Sequence, residues 1–159
     1  GIGFVPEDRR IFPGLTVEEN LSLGFLQVPG RSRADNNAAL ERVYNRLPRL
    51  RERRSQFGTT LSGGEQQMLA MARVMIGDAR LLLIDEPSEG LAPMIVEDVY
   101  AVISEMKAGG RTILLVEQNV ALALKVCERF VAIERGRIVF AGSSSSPQDC
   151  DKLMATISV

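Results

Sequence analysis

Two acids stand side by side at Asp85 and Glu86, directly after an unbroken apolar run at residues 81–84. Carboxylates placed this way can hold a divalent cation and polarise a water molecule for attack on phosphorus. Upstream, Ser62-Gly63-Gly64-Glu65 opens a segment of helical apolar periodicity. Glycines at a helix N-terminus let backbone N–H groups approach an anion, and the helix dipole favours negative charge there. Each feature alone also has a plainer reading, the turn as a helix cap and the acid pair as a solvated loop. Cys127 and Cys150 form no metal-binding spacing, and the absence of histidine argues against zinc.

The elements that would position these groups follow from pattern. Ser62 and Glu65 have the spacing of a capping box, and Met68, Leu69, Ala72, Met75 and Ile76 form one apolar stripe behind it. Gly77-Asp78 stops that helix. The run at 81–84 reads as a parallel strand buried on both faces, with the acids at its carboxyl end, where open α/β sheets bind ligands. Pro87 disfavours a helical conformation at Glu86 and predicts an extended one. Before this stretch, residues 2–5 read as a strand ended by Pro6-Glu7. Thr16 and Glu19 predict a second capped helix, residues 26–32 a loop, and residues 39–47 another helix. After it, Pro93 starts a helix running to Gly109-Gly110, and residues 112–116 predict a second buried strand followed by Glu117-Gln118-Asn119. A helix at 120–128, a hairpin turning at 134–137, a serine-rich linker at 143–146 and a short helix at 147–159 complete the reading. The alternation of strands and helices predicts an α/β fold with a parallel sheet.

Taken together, LSGGE at residues 61–65 and LLLIDE at 81–86 resemble the signature and Walker B motifs of the ABC-type ATPases. Ser88-Glu89-Gly90-Leu91 stands where that family has its D-loop. The resemblance implies a partial P-loop NTPase (ABC ATPase) core, with a parallel sheet plus a helical subdomain. Its divisions are a strand and Q-loop equivalent at 1–7, helices at 8–77, the α/β core at 78–142 and a tail at 143–159. It implies ATP and Mg²⁺ as cofactors, with Leu61, Ser62, Gly63, Gly64, Glu65 and Ser88 facing a nucleotide held by a second ATPase subunit, in a homo- or heterodimer. Asp85 would bind the metal and Glu86 would polarise the attacking water. Glu7 stands at the position of the Q-loop glutamine, which touches metal and nucleotide and faces the membrane partner; by itself it is equally a surface acid at a strand end. Gln118 stands where most members have a histidine near the γ-phosphate. Its amide can donate a hydrogen bond but cannot carry a proton, so its role stays open between phosphate contact and a plain polar residue.

Within the family, VPE followed by RRIFPGLTVEENL, and VEQN at 116–119, look like the ATPase subunits of branched-chain amino-acid and urea importers. That implies Mg-ATP hydrolysis coupled to amino-acid uptake, transmembrane permease subunits as partners, and a peripheral place on the cytoplasmic face of the membrane. Two alternatives remain: a non-transport ABC ATPase, and a catalytically silent module that kept the fold.

The bulk composition agrees with a globular domain: 159 residues, 45% apolar, 25% charged and a net charge of −1. That charge gives no sign of a nucleic-acid surface, and no nucleic-acid partner is expected. Arg46, Arg49, Arg51, Arg53 and Arg54 form a basic cluster, readable as a solvated face, a contact with the permease or, without interleaved aromatics, less well as a nucleic-acid contact. No apolar run approaches the roughly 20 residues that span a bilayer. A glycine-rich and immediately charged start gives no expectation of a leader, and two cysteines suggest a reducing compartment. No G-x-x-x-x-G-K-[ST] phosphate loop occurs; none of the lysines, Lys107, Lys125 and Lys152, follows a glycine. The resemblance therefore predicts a chain matching the C-terminal two-thirds of a family member, with little or no ATPase activity alone and uncovered apolar surface prone to self-association.

Overall fold

The structure, a computed structural model, describes residues 1–157, with side chains through residue 156. The chain forms two compact units, Gly1–Val116 and Glu117–Val159. The first is built on three parallel strands, β1 (Ile2–Val5), β2 (Leu81–Asp85) and β3 (Thr112–Val116), in the order β1-β2-β3. Val5 pairs with Ile84 and Asp85 with Val116, so β2 and β3 end level and β1 ends one residue earlier. The links between parallel strands run through helices, α1 (Val17–Ser22), α2 (Arg33–Arg46), α3 (Pro48–Glu52) and α4 (Gly63–Ile76) before β2, and α5 (Pro93–Ala108) before β3.

One face of the sheet is covered and one is bare. Gly3, Val5, Leu82 and Ile84 are buried, and α4 packs over β1. Phe4, Leu114 and Val116, on the other face, are 49%, 59% and 51% exposed. The expectation of strands buried on both faces is thus corrected. An apolar run reports that both sides tolerate burial, and within this unit no described element lies over the second side.

α4 is also more than a one-sided helix. Gln67, Met68, Leu69, Ala70, Met71, Ala72, Val74 and Ile76 are all buried, because α1, α2, α3, α5 and β1 surround it. Leu69, Met71 and Ile76 each contribute about 1.5–3 kcal/mol by leaving water. Both capping boxes are present: Thr16 with Glu19 on α1 and Ser62 with Glu65 on α4. Residues 26 and 27, expected in a loop, finish a 3-10 segment at Leu23–Gln27. Buried Asn20 bonds both the N–H and the C=O of Phe12, at 3.0 and 3.2 Å, and the carbonyls of Leu15 and Thr16.

The second unit comprises α6 (Val120–Val126), the antiparallel hairpin β4 (Arg129–Glu134) and β5 (Arg137–Ser143), and α7 (Pro147–Ile157). Arg135 and Gly136 turn the hairpin with φ of +48° and +75°. The serines at 143–146 are a tied turn and not a linker. Ser144 Oγ donates to the Cys127 carbonyl at 2.6 Å, and Asp149 accepts from the Ser143 amide at 3.0 Å. Ser158 and Val159 of the expected terminal helix lie outside the described residues. No described helix is long and apolar enough to cross a membrane.

Candidate functional site

The adjacent ends of β1 and β2, one residue apart in register, set the first part of the site. Asp85 is the last residue of β2, half-buried, and lines a shallow apolar depression with Phe4, Leu83, Leu114 and Val116. Glu86 follows, and its N–H donates to the Val116 carbonyl at 2.9 Å. Its φ is +41°, so the chain meets the restriction imposed by Pro87 by turning into the left-handed region and not by extending. The turn closes when Glu89 N–H donates to the Glu86 carbonyl at 3.2 Å, with Gly90 at φ +66°.

Parallel pairing of Val5 with Ile84 sends Glu7 out of the sheet beside Glu86. The Glu89 carboxyl joins them. The Glu7 charge beside it, with hydrogen bonding to Glu86 and Glu7, holds it above the usual carboxylate range. Like charges brought this close relax when a cation arrives. Among the described residues no group of three or more His, Cys, Asp or Glu is arranged as a ready metal site. Magnesium does not demand one, since it is held by one or two carboxylates with substrate phosphates and water completing the shell. Asp85 and Glu7 fit that requirement.

The second part is the turn at residues 61–65. Leu61 is buried and anchors it, while Ser62 is exposed at the N-cap. Ser62 Oγ accepts from the Glu65 amide at 3.3 Å, and Glu65 Oε2 accepts from the Ser62 N–H and from its hydroxyl, both at 2.9 Å. Glu65 Oε1 lies 2.8 Å from Arg53 Nε. Burial pulls the Glu65 carboxyl up, but the Ser62 hydrogen bonds and the charges of Arg53 and Arg49 outweigh it and hold it low. Two amides of the first turn, at Gly63 and Gly64, have no intrahelical acceptor and point out of the helix end. Gly64 is needed for close approach, and Gly63 faces a flexible arginine end. A Cβ on Gly64 would stand 2.8 Å from Ile95 Cγ2, and one on Gly63 would stand 3.3 Å from Arg9 Nη1.

The structure therefore places Glu7 with Glu86, and relates the 61–65 turn to the loop after β2 through Arg9, whose Nη2 donates to the Glu89 carbonyl at 3.4 Å. Ser88 is half-buried in that loop, and its carbonyl accepts from Leu91 N–H at 3.3 Å. Gln118 is exposed and belongs to the second unit, next to Asn119, which caps α6 through Leu122 N–H at 3.2 Å. Sequence reasoning missed Arg9, Arg53 and the role of Glu89, because their partners are far away in the chain or carry no pattern. Of the basic cluster, Arg46, Arg49, Arg51 and Arg53 pair with Glu105, Glu52, Glu41 and Glu65 of the same chain.

Comparison with known proteins places this arrangement. The profile described as ABC transporter matches residues 1–89, more than half of the chain. The high-affinity branched-chain amino acid transport ATP-binding protein BraG of Pseudomonas aeruginosa is 46% identical over 138 residues, covering 87% of this chain and 58% of the relative. The probable branched-chain amino acid transport ATP-binding protein LivF of Archaeoglobus fulgidus is 35% identical over 153 residues, covering 96% of this chain and 64% of the relative. The chain thus spans about six-tenths of the length of these two relatives. A solved ATP-binding subunit of an ABC transporter superposes with a TM-score of 0.79 at 28% identity, over 99% of this chain and 62% of that one. A dimeric bacterial ABC transporter cassette shares the fold, with a TM-score of 0.79 at 23% identity over 90% of this chain and 62% of that one. The chain belongs to the ABC transporter family.

Proposed function

We propose that these residues are the signature and Walker B portion of the ATP-hydrolysing subunit of an ABC importer for branched-chain amino acids. The observation that carries the reading is the register of the strand ends, with Asp85 and Glu86 at the end of the central strand and Glu7 beside them. Likeness to BraG at 46% identity supports the substrate class. Asp85, with Glu7, would hold Mg²⁺, which neutralises developing phosphate charge when bound. Glu86 orients and polarises the attacking water. Leu61, Ser62, Gly63, Gly64 and Glu65 form a preorganised donor turn for the γ-phosphate of a nucleotide on a second ATPase subunit, with Ser88 in the loop facing it. Gln118 donates an amide hydrogen bond to phosphate. The divisions at 1–7, 8–77, 78–142 and 143–159 belong to the same reading, as do permease partners and a peripheral place on the cytoplasmic face of the membrane. A dimeric cassette among the structural neighbours supports a paired arrangement.

No residue in this sequence supplies a phosphate loop, so the chain is not built to grip ATP by itself. Calorimetric titration of these 159 residues with Mg-ATP is expected to show no measurable binding. Joined to the portion of BraG that it does not cover, the chain is expected to hydrolyse ATP, and Glu86→Gln to abolish that turnover. Equal hydrolysis with and without Glu86 would sink the catalytic assignment and favour a silent module that kept the fold.

A further inference from the structure

Arg9 lies outside the turn at 61–65 and the acid pair, yet it stands between them. Its Nη2 donates a long 3.4 Å hydrogen bond to the Glu89 carbonyl, and its Nη1 borders Gly63, 3.3 Å from the position a Cβ there would take. Three features make this an unfavourable place for an arginine. Its backbone is left-handed, with φ +62°, and so is that of Arg10, with φ +42°. Its Nε is buried without a hydrogen-bond partner. And its cation lies beside the N-terminus of α4, where the helix dipole repels positive charge. Local cost of this kind persists where the surroundings hold a group in place for a purpose.

The surroundings do hold it. Arg9 N–H donates to the Pro6 carbonyl at 3.0 Å and Arg10 N–H to the Asp8 carbonyl at 2.7 Å, closing a tight turn. From α4, Arg73 Nη1 donates to the Arg10 carbonyl at 3.0 Å, and its guanidinium lies over the Phe12 ring, 5.3 Å from the centroid. The turn is therefore fixed to the flank of α4 while the Arg9 side chain reaches the helix end.

We propose that Arg9 is a positioning residue. Its guanidinium sets the separation between the glycine turn at Gly63 and the loop after β2 at Glu89, so that both present to the same phosphate. This rests on the reading of residues 61–65 as a phosphate-contacting turn. The planar fork is the essential feature: one nitrogen faces Gly63 while another serves the Glu89 carbonyl. A lysine ammonium offers a single point and cannot span both.

The test uses the full chain, ¹⁵N-labelled, as wild type, Arg9→Lys and Arg9→Ala, and needs no nucleotide. In Arg9→Ala the amide signals of 63–65 and of 89–91 are expected to shift together. Hydrogen exchange at Glu65 and Leu91 should accelerate about tenfold, the scale of one lost hydrogen bond, with α2 unmoved. Ethylguanidinium added to Arg9→Ala should restore both sets, and Arg9→Lys should not. If Arg9→Ala fails to fold, Arg9→Lys alone decides, since it is expected to displace both sets. A response confined to residues 6–12, or native spectra in Arg9→Lys, would overturn the proposal and leave the assignment of Glu86 untouched. Conversely, failure of the Glu86→Gln assay would not alter these spectra.

Discussion

Gly64→Ala tests whether the helix end is defined by packing. Alanine gains at most about 1 kcal/mol over glycine in a helix, and less at the second helical position. Against that, the new Cβ would stand 2.8 Å from Ile95 Cγ2 and 3.1 Å from Cγ1. Neither atom is the free end of a flexible chain; both sit on the branched Cβ of a residue in the first turn of α5. Relief requires moving α5 or α4, and overpacking of this kind costs about 1–3 kcal/mol. The balance is a net destabilisation of roughly 0.5–2 kcal/mol, read as a lower urea midpoint at constant slope. Ile95→Ala removes both close atoms and leaves only Ile95 Cβ, at an ordinary 3.5 Å. The Gly64→Ala/Ile95→Ala pair should therefore be more stable than the sum of the single changes by about 1–2 kcal/mol. A Gly64→Ala chain as stable as wild type, or strict additivity, would show that the glycine is not there for this contact.

Two further outcomes follow from the same geometry. Glu65 has its carboxyl held low by Ser62 and Arg53, so its contribution is present above the ordinary carboxylate pKa and is lost as pH falls through the depressed value. Glu65→Gln should flatten that acid limb of the stability curve and lower stability at pH 7 by about 1–2 kcal/mol, and an unchanged limb in pH-dependent denaturation would refute the assignment. The bare sheet face should drive self-association. Phe4→Lys together with Leu114→Lys should lower the apparent mass in light scattering, and a monomeric wild type would remove the premise.

What was legible from sequence was local. Thr16 with Glu19 and Ser62 with Glu65 are pairs three residues apart, so each capping box is written within one turn of chain. The strands were legible because apolar β-branched and leucine runs have few other uses, and the acids at the end of β2 followed from its boundary. Burial was not. Periodicity says which residues tolerate an apolar neighbour and not whether one is there, so the all-round burial of α4 went unread, and the bare face of Phe4 and Leu114 was foreshadowed only by the missing phosphate loop. Nor does Pro87 reveal that Glu86 turns left-handed, because a proline only forbids one region of backbone space. Side chains acting across distance were the largest omission. Arg53 looked like one member of a basic cluster, but it grips Glu65 of the turn at 61–65.

The kind of bond that joins the helices to the strand ends decides how the site responds to its environment. Arg46–Glu105 and Arg51–Glu41 lie at the surface, where salt screens ion pairs and each contributes little. The loop leaving β1 is held differently. Arg73 binds the Arg10 carbonyl, Arg9 the Glu89 carbonyl, and buried Asn20 both polar groups of Phe12. All of these end on backbone groups and not on carboxylates, so they persist as salt rises. The loop carrying Glu7 is thus fixed at one end by β1 and at the other by Asn20, with Arg73 from the last turn of α4 holding it in between. A displacement at Glu7 cannot be absorbed within so short a segment. It must either break one of these bonds to backbone or move its bonding partners, Arg73 in the last turn of α4 and the Glu89 carbonyl in the loop after β2.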